Sequence, residues 1–383
     1  MQPAVSAGAP EAKDAGKDAR KDDSALRILI VDDSAVIRGL LRRTLEEDPE
    51  VIVVASVSNG QQAIDVVARQ PIDVVLLDIE MPVMDGMTAL PKILAANPAV
   101  RVIMASTLTE RNAEISLKAL RQGASDYIAK PTAKHELHSA RGFREELIEK
   151  VKALAGRRVG RTTARAAGPQ DAAGARSAAP VPIALRPPSA RVPRIVCIGS
   201  STGGPQALFT LFQGLRGKLG AVPVVITQHM PKAFTGILAQ HLGKVADLPC
   251  AEGVDNEPLL PGRIYIAPGD YHMTVQPAAT GHRIHLDQNP PENFCRPSVE
   301  PLFRSVSAAF EGSVLAIMLT GMGHDGSAAS RALVDAGGTL VAQDEKSSVV
   351  WGMPGAVAQA GICADVLPID AIAPRVIHLL RRN

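Results

Sequence analysis

The stretch "IGSSTGG", residues 198–204, places two serines between glycines directly after an apolar run. Gly199, Ser201 and Gly203 satisfy Gly-x-Ser-x-Gly, the sharp strand-to-helix turn that exposes its central hydroxyl, and that spacing selects Ser201 over Ser200 as a nucleophile. The glycines permit tight backbone geometry, and the helix that follows offers free N–H groups and a positive dipole end to a developing oxyanion. Taken alone, the pattern fits an ordinary turn equally well; a dinucleotide loop fits worse, because Gly-x-Gly-x-x-Gly fails at Ser201. A serine hydroxyl also needs a base, and the base an orienting group. Of the nine histidines, His229 alone follows a strongly apolar strand, "VPVVITQ", in the unit next to that of Ser201. His135 and His138 fall in a helix leading to a linker, His282 and His285 in a predicted hairpin, and His378 near the C-terminus; His241 and His272 lack a strand end. Asp325 follows "SVLAIMLTG" within "GMGHDG", where a helix cap is the competing role and His324 a rival base.

The first half carries a second constellation. Asp32 and Asp33, Asp78, Ser106 and Lys130 each fall at the carboxyl end of a predicted strand, where open parallel sheets gather functional groups. Three carboxylates on one edge repel one another unless a hard cation sits among them, and Mg²⁺ with oxygen ligands suits that arrangement. Asp78 is then the attacking carboxylate, with Mg²⁺ and Lys130 neutralising charge on a transferred phosphoryl group. Each residue has a simpler role: Asp33 and Ser34 as helix caps, Asp78 as a turn residue before "EMPVMDG", Lys130 as a surface lysine before Pro131. Their coincidence at one edge favours the site.

Both constellations need strands that end together. "LRILIV", "VIVVASV", "DVVLLD", "VRVIMAS" and "DYIA" are short apolar runs separated by helical patterns such as "SAVIRGLLRRTLEE", which predicts a parallel sheet covered on both faces. A last helix is expected from about Lys134, before the Pro- and Ala-rich "GPQDAAGARSAAPVPIALRPPSARVP". The alternation restarts with "RIVCIG". "RIYIAP", "YHMTV" and "HRIHL" have no helix between them and predict an antiparallel hairpin element. The expected fold class is α/β with two doubly wound domains. The expected division is a disordered extension over 1–25, a first domain over 26–147, a flexible basic linker over 148–191 and a second domain over 192–383.

At 383 residues, 46% hydrophobic and 21% charged, the chain is long enough for two cores and reads as globular. No apolar stretch is long enough to span a bilayer, and the N-terminus lacks the apolar segment of a secretory signal, so a cytoplasmic address is expected. Four widely spaced cysteines suggest neither a disulfide framework nor a zinc site. The net charge of +2 hides a basic run over 151–194, read as a solvated linker because it has no aromatic residue for stacking on bases.

"VDDS", "LLDIEMPVMDG", "MAS" and "YIAKP" resemble the receiver domain of two-component response regulators over residues 26–147. That resemblance implies a flavodoxin-like fold, phosphorylation of Asp78 by a chemotaxis histidine kinase, and Mg²⁺ held by Asp33, Asp78 and the carbonyl of Glu80, with Asp32 acting through water. It implies Ser106 and Tyr127 as the switch pair and Lys130 as a contact to the phosphoryl group. "GSSTGG", "TQHMPKAFT", "GRIYIAPGDYHM", "RPSVEPLF" and "LTGMGHDG" resemble the catalytic domain of chemotaxis protein-glutamate methylesterases. This second resemblance implies a triad of Ser201, His229 and Asp325, an oxyanion hole with the Met322 N–H, no cofactor for the ester chemistry, and methyl-accepting chemotaxis receptors as substrate. A monomer that binds no nucleic acid and inserts in no membrane is expected. His324 departs from the family pattern, where asparagine is expected, and so does the long basic linker.

Overall fold

The computed structural model describes residues 25–107, 109–130, 139–162 and 183–381. Residues 1–24, His135, His138 and residues 163–182 of the expected linker lie outside the described residues. The first domain is a five-stranded parallel sheet: β1 Leu26–Val31, β2 Val51–Val57, β3 Val74–Asp78, β4 Arg101–Ser106 and β5 Asp126–Ala129, in the order β2-β1-β3-β4-β5. Helices α1 Ala35–Glu46, α2 Gly60–Arg69, α3 Gly86–Ala96, α4 Glu110–Arg121 and α5 Ser139–Thr162 pack around it. Every residue of β3 is buried, as a strand covered on both faces requires, so its aliphatic run needs no polar alternation. Order reverses between β1 and β3, and Asp32, Asp33 and Asp78 collect at that crevice.

The second domain has a seven-stranded parallel sheet in the order β14-β13-β12-β6-β7-β9-β8. Its strands are β6 Ile195–Ser200, β7 Val224–Gln228, β8 Cys250–Glu252, β9 Ile264–Ile266, β12 Val314–Met318, β13 Thr339–Gln343 and β14 Asp365–Leu367. Between them run α6 Gly204–Gly214, α7 Lys232–Ala246, α8 Val299–Phe310, α9 Ser327–Asp335, α10 Met353–Gln359 and α11 Ile369–Leu380. β10 His272–Pro277 and β11 His282–Asp287 form the antiparallel hairpin. "RIYIAP" is not part of it: β9 pairs in parallel with β7 inside the main sheet. The switch point lies between β6 and β12, so the carboxyl ends of β6, β7 and β12 share one crevice.

The structure moves both edges of the expected linker. Helix α5 runs past residue 147, and its Leu147, Val151, Leu154 and Ala155 are buried against the β1 side of the first sheet. Lys150 on the same helix is buried with them, its charge matched by Asp126 at 3.2 Å and Glu146 at 2.9 Å. At the far end, Arg186 N–H donates to the Cys363 carbonyl (2.9 Å) and its guanidinium pairs with Asp335 (3.1 Å). Ser189 N–H donates to Thr339 Oγ1 (3.0 Å), and Arg191 bonds the Glu311 carbonyl. Composition alone does not reveal either tether, because the apolar positions of α5 are diluted by arginine and lysine on its other faces.

Candidate active site

Ser200 and Ser201 have opposite fates. Ser200 is fully buried, and its hydroxyl donates to Gln228 Oε1 at 2.7 Å. Gln228 Nε2 donates in turn to the carbonyls of Ser201 (2.9 Å) and His229 (3.1 Å), so Ser200 and Gln228 brace the ends of β6 and β7. Ser201 lies one residue further, in the turn, half-buried, with its N–H donating to the Thr320 carbonyl at 3.0 Å. The turn closes because Gly203 takes φ +74° where a Cβ would meet Val349 at 2.5 Å. Gly321 permits the close pass of the β12 loop: a Cβ there would lie 2.9 Å from that of Ser201.

His229 follows β7, and its Nε2 lies 2.7 Å from Asp325 Oδ2. An ionised carboxylate only accepts, so Nε2 carries the proton and Nδ1 is the basic nitrogen. Asp325 does not cap α9. The cap position is Gly326, at φ +84°, and the first turn of α9 is met by Glu300, which accepts from Ala328 N–H (2.9 Å) and Ala329 N–H (2.7 Å). Freed from that role, Asp325 accepts from Val299 N–H (2.6 Å), Ser298 Oγ (2.7 Å) and Asn293 Nδ2 (2.8 Å) as well as His229. Burial alone raises a carboxyl pKa, but the His229 ring and the N-terminal donors of α8 outweigh it and hold Asp325 down at about 2. For His229, burial disfavours the charged ring, yet Asp325 and then Cys295 outweigh it and push the ring up to about 10.

Among the described residues, the backbone N–H groups of Thr202 and Met322 have no acceptor. Both lie beside Ser201, one in its own turn and one in the loop after β12. His324 is exposed, apart from the His229–Asp325 pair.

At the first sheet's edge, ligand oxygens of Asp32, Asp33 and Asp78 lie within 4.8 Å of one another. Lys130 Nζ bridges Asp32 Oδ2 and Asp78 Oδ1 at 2.6 Å each. Burial pushes the Asp78 carboxyl above the ordinary carboxylate range, and Asp32 adds to this, while Lys130 and the Ile79 N–H pull it back. Three carboxylates against one ammonium leave room for a dication, and an all-oxygen donor set suits Mg²⁺. The carboxylates of Asp32, Asp33 and Asp78 would hold it, and when bound it would neutralise charge on a transferring phosphoryl group. Mg²⁺ at 100 times its Kd should therefore stabilise the protein by about 2.7 kcal/mol. In thermal melts, the rise with Mg²⁺ should be seen in the wild type and largely lost in Asp33→Asn; an equal rise in both would remove the site. Ser34, not Asp33, caps α1, accepting from Ile37 N–H.

The two sites meet through the interface. Ser106 is buried, its hydroxyl 3.3 Å from the Thr107 carbonyl, and Tyr127 points away from it into the second domain. The Tyr127 ring stacks on Phe234 with centroids 4.3 Å apart and planes at 15°. Phe234 belongs to α7, which begins three residues after His229. Gln206 of α6 donates to the carbonyls of Leu120 and Ala124, and Arg121 lies 5.8 Å above the Phe209 ring. Sequence reasoning missed Gln228, Asn293, Cys295, Ser298, Glu300 and Phe234. Ser298 and Glu300 carried a signal, a capping serine followed by an acid in a first turn, but not the fact that Ser298 also bonds Asp325 and Glu300 meets the first turn of α9.

The chain matches the family model "CheB methylesterase" over residues 196–376 and "Response regulator receiver domain" over 28–141. It is 55% identical over 366 residues to "Protein-glutamate methylesterase/protein-glutamine glutaminase 1" of Rhodospirillum rubrum, covering 92% of this chain and 95% of that one. It is 54% identical over 364 residues to the "Protein-glutamate methylesterase/protein-glutamine glutaminase" of Azospirillum brasilense, covering 92% of each. The "Crystal structure of Thermotoga maritima CheB methylesterase catalytic domain" is 36% identical, covering 49% of this chain and 98% of that one, at a TM-score of 0.47. With relatives matched along nearly their whole length and both domain models in place, the chain belongs to the family of protein-glutamate methylesterases/protein-glutamine glutaminases that carry a receiver domain.

Proposed function

We propose that this protein is a serine hydrolase that removes methyl groups from glutamate esters on methyl-accepting chemotaxis receptors, and deamidates receptor glutamines, under control of phosphorylation at Asp78. The contact that carries the reading is His229 Nε2 to Asp325 at 2.7 Å beside the Ser201 turn. Ser201 Oγ attacks the γ-carbonyl while His229 Nδ1 takes its proton, and the imidazolium is stabilised by Asp325. The oxyanion is met by the N–H groups of Thr202 and Met322. The ring gives its proton to the departing methoxide, releasing methanol, or to the departing amide nitrogen of glutamine, releasing ammonia. Water, deprotonated by the same nitrogen, then hydrolyses the acyl-serine and restores a receptor carboxylate.

The receiver supplies control. Its Tyr127 side is occupied by the esterase domain, so the unphosphorylated receiver covers a surface next to the base-bearing loop. A chemotaxis histidine kinase is the phosphodonor, Ser106 and Lys130 contact the phosphoryl group, and Tyr127 transmits the change to Phe234. Because that side is filled in cis rather than by a second copy, the reading takes the protein as a monomer, placed in the cytoplasm with kinase and receptor signalling domains. Nucleic acid has no part in it: Arg186 and Arg191 of the basic run are engaged by the second domain. Among the described residues no helix is long and apolar enough to cross a membrane.

Methylated receptor membranes should release methanol with this protein, and faster with Mg²⁺ and a small phosphodonor; absence of methanol under both conditions would reject the reading. The pH profile is a separate expectation. A base must be neutral, and Asp325 and Cys295 favour the protonated ring, so the acid limb of kcat/KM should lie above the ordinary histidine value of 6.5. Asp325→Asn removes one source of that bias and should move the limb to lower pH while lowering kcat by about 10⁴-fold. The same raised value adds stability that is full below 6.5 and lost as pH rises toward 10. An acid limb at or below 6.5 in the wild type would contradict this.

A further inference from the structure

The loop Glu292–Arg296 contributes two side chains to the base and acid. Asn293 Nδ2 donates to Asp325 Oδ1 at 2.8 Å, and Cys295 Sγ lies 3.4 Å from His229 Nδ1. Between them Phe294 is fully exposed. Asn293 and Phe294 both take left-handed backbones, at φ 50° and 63°, which is how two side chains of so short a loop reach one site while the third turns out. The loop is anchored at both ends. Cys295 N–H donates to the Glu292 carbonyl at 2.9 Å, Glu292 pairs with Arg304 at 2.7 Å, and Arg296 pairs with Asp270 at 2.6 Å while bonding the carbonyls of Gln288 and Asn289.

The assignment of nitrogens gives this contact its meaning. Nε2 is committed to Asp325, so the Nδ1 lone pair is the one that must take the Ser201 proton, and Cys295 is the side chain found on it. A thiol is a weak donor, and a hydroxyl displaces it readily from an imidazole lone pair. We propose that Cys295 is a positioning residue for the base: its thiol holds Nδ1 of His229 turned toward the reaction pocket in the resting site and yields it to the Ser201 hydroxyl when an ester arrives. This rests on reading Ser201, His229 and Asp325 as the catalytic triad. The contact is a hydrogen bond, so a side chain that keeps a donor at this position restores it, which loss of packing does not predict.

The test uses the full-length protein with Mg²⁺ and a small phosphodonor, following methanol release from methylated receptor membranes across pH for the wild type, Cys295→Ala and Cys295→Ser. Loss of one hydrogen bond on the base should lower kcat roughly three- to tenfold in Cys295→Ala, with KM within about twofold. Cys295→Ser, which keeps a donor, should regain most of that loss. Cys295→Ala with wild-type kcat would overturn the proposal. So would an equal loss of kcat in both variants with a lower Tm, which is the result of packing alone. Ser201→Ala on the same membranes tests the triad separately, because continued methanol release from that variant would remove the nucleophile whatever Cys295 does.

Discussion

Ser201→Ala should abolish methanol release, by about 10⁴- to 10⁶-fold, while Ser200→Ala retains activity within about tenfold of the wild type. The two serines are neighbours in sequence and differ only in what their hydroxyls face. The Ser200 hydroxyl is spent on Gln228 Oε1, in a fully buried brace between β6 and β7. Removing it leaves a buried acceptor unmet, a stability cost of about 1–3 kcal/mol, and loosens the carbonyls of Ser201 and His229 that Gln228 holds. Thermal melts should therefore fall for Ser200→Ala and stay near the wild type for Ser201→Ala, whose side chain lies half-open in the turn. Loss of activity in folded Ser200→Ala with Ser201→Ala unaffected would reverse the assignment.

The second large effect expected is release from the receiver. A fragment of residues 183–381 should hydrolyse receptor esters on the order of 10- to 100-fold faster than the unphosphorylated full-length protein, because tethering places the receiver at an effective concentration of about millimolar. The start at 183 matters, since Arg186, Ser189 and Arg191 are bonded to the esterase domain and a later start would strip those contacts. The interface comprises the Tyr127–Phe234 stack, the two hydrogen bonds of Gln206, the Arg121–Phe209 contact, and the apolar packing of α4 on α6 and α7 and of Val349 and Val350 on the first domain's core. A phosphoryl group that biases the receiver by a few kcal/mol can shift such a docking equilibrium. Gln206→Ala, which deletes two bonds into the receiver without touching the triad, should raise basal activity part of the way. Equal rates for fragment and unphosphorylated full-length protein would mean that the receiver does not restrain the enzyme.

The residues at strand ends were legible in the sequence because each follows an apolar run that can only be a buried strand. Ser201, His229 and Asp325 end or follow β6, β7 and β12, and Asp32, Asp33 and Asp78 follow β1 and β3. What surrounds them was not legible, because it is set by contacts between distant segments. Asp325 read equally well as a helix cap until Glu300, 25 residues earlier, was seen to meet α9 in its place. Cys295 is one of four widely spaced cysteines with no pattern of its own, and only the two left-handed residues before it bring it onto His229. The switch role expected for Tyr127 gave no hint that its ring would stack on Phe234 in the other domain. Short strands with few apolar residues were also hidden: β8 and β14 have three residues each and are placed by pairing to β9 and β13 rather than by their own pattern.

The most direct measurement of the central claim is to trap the acyl-enzyme. Phosphorylated full-length protein is mixed with methylated receptor membranes, quenched in acid within the first turnover, digested, and mapped by mass spectrometry for the ester that joins a receptor glutamate to the enzyme. The account predicts that the ester lies on Ser201, that its amount rises with the phosphodonor, and that none forms in Ser201→Ala. Methanol release with no adduct at Ser201, or with the adduct on Ser200 or Cys295, would contradict it.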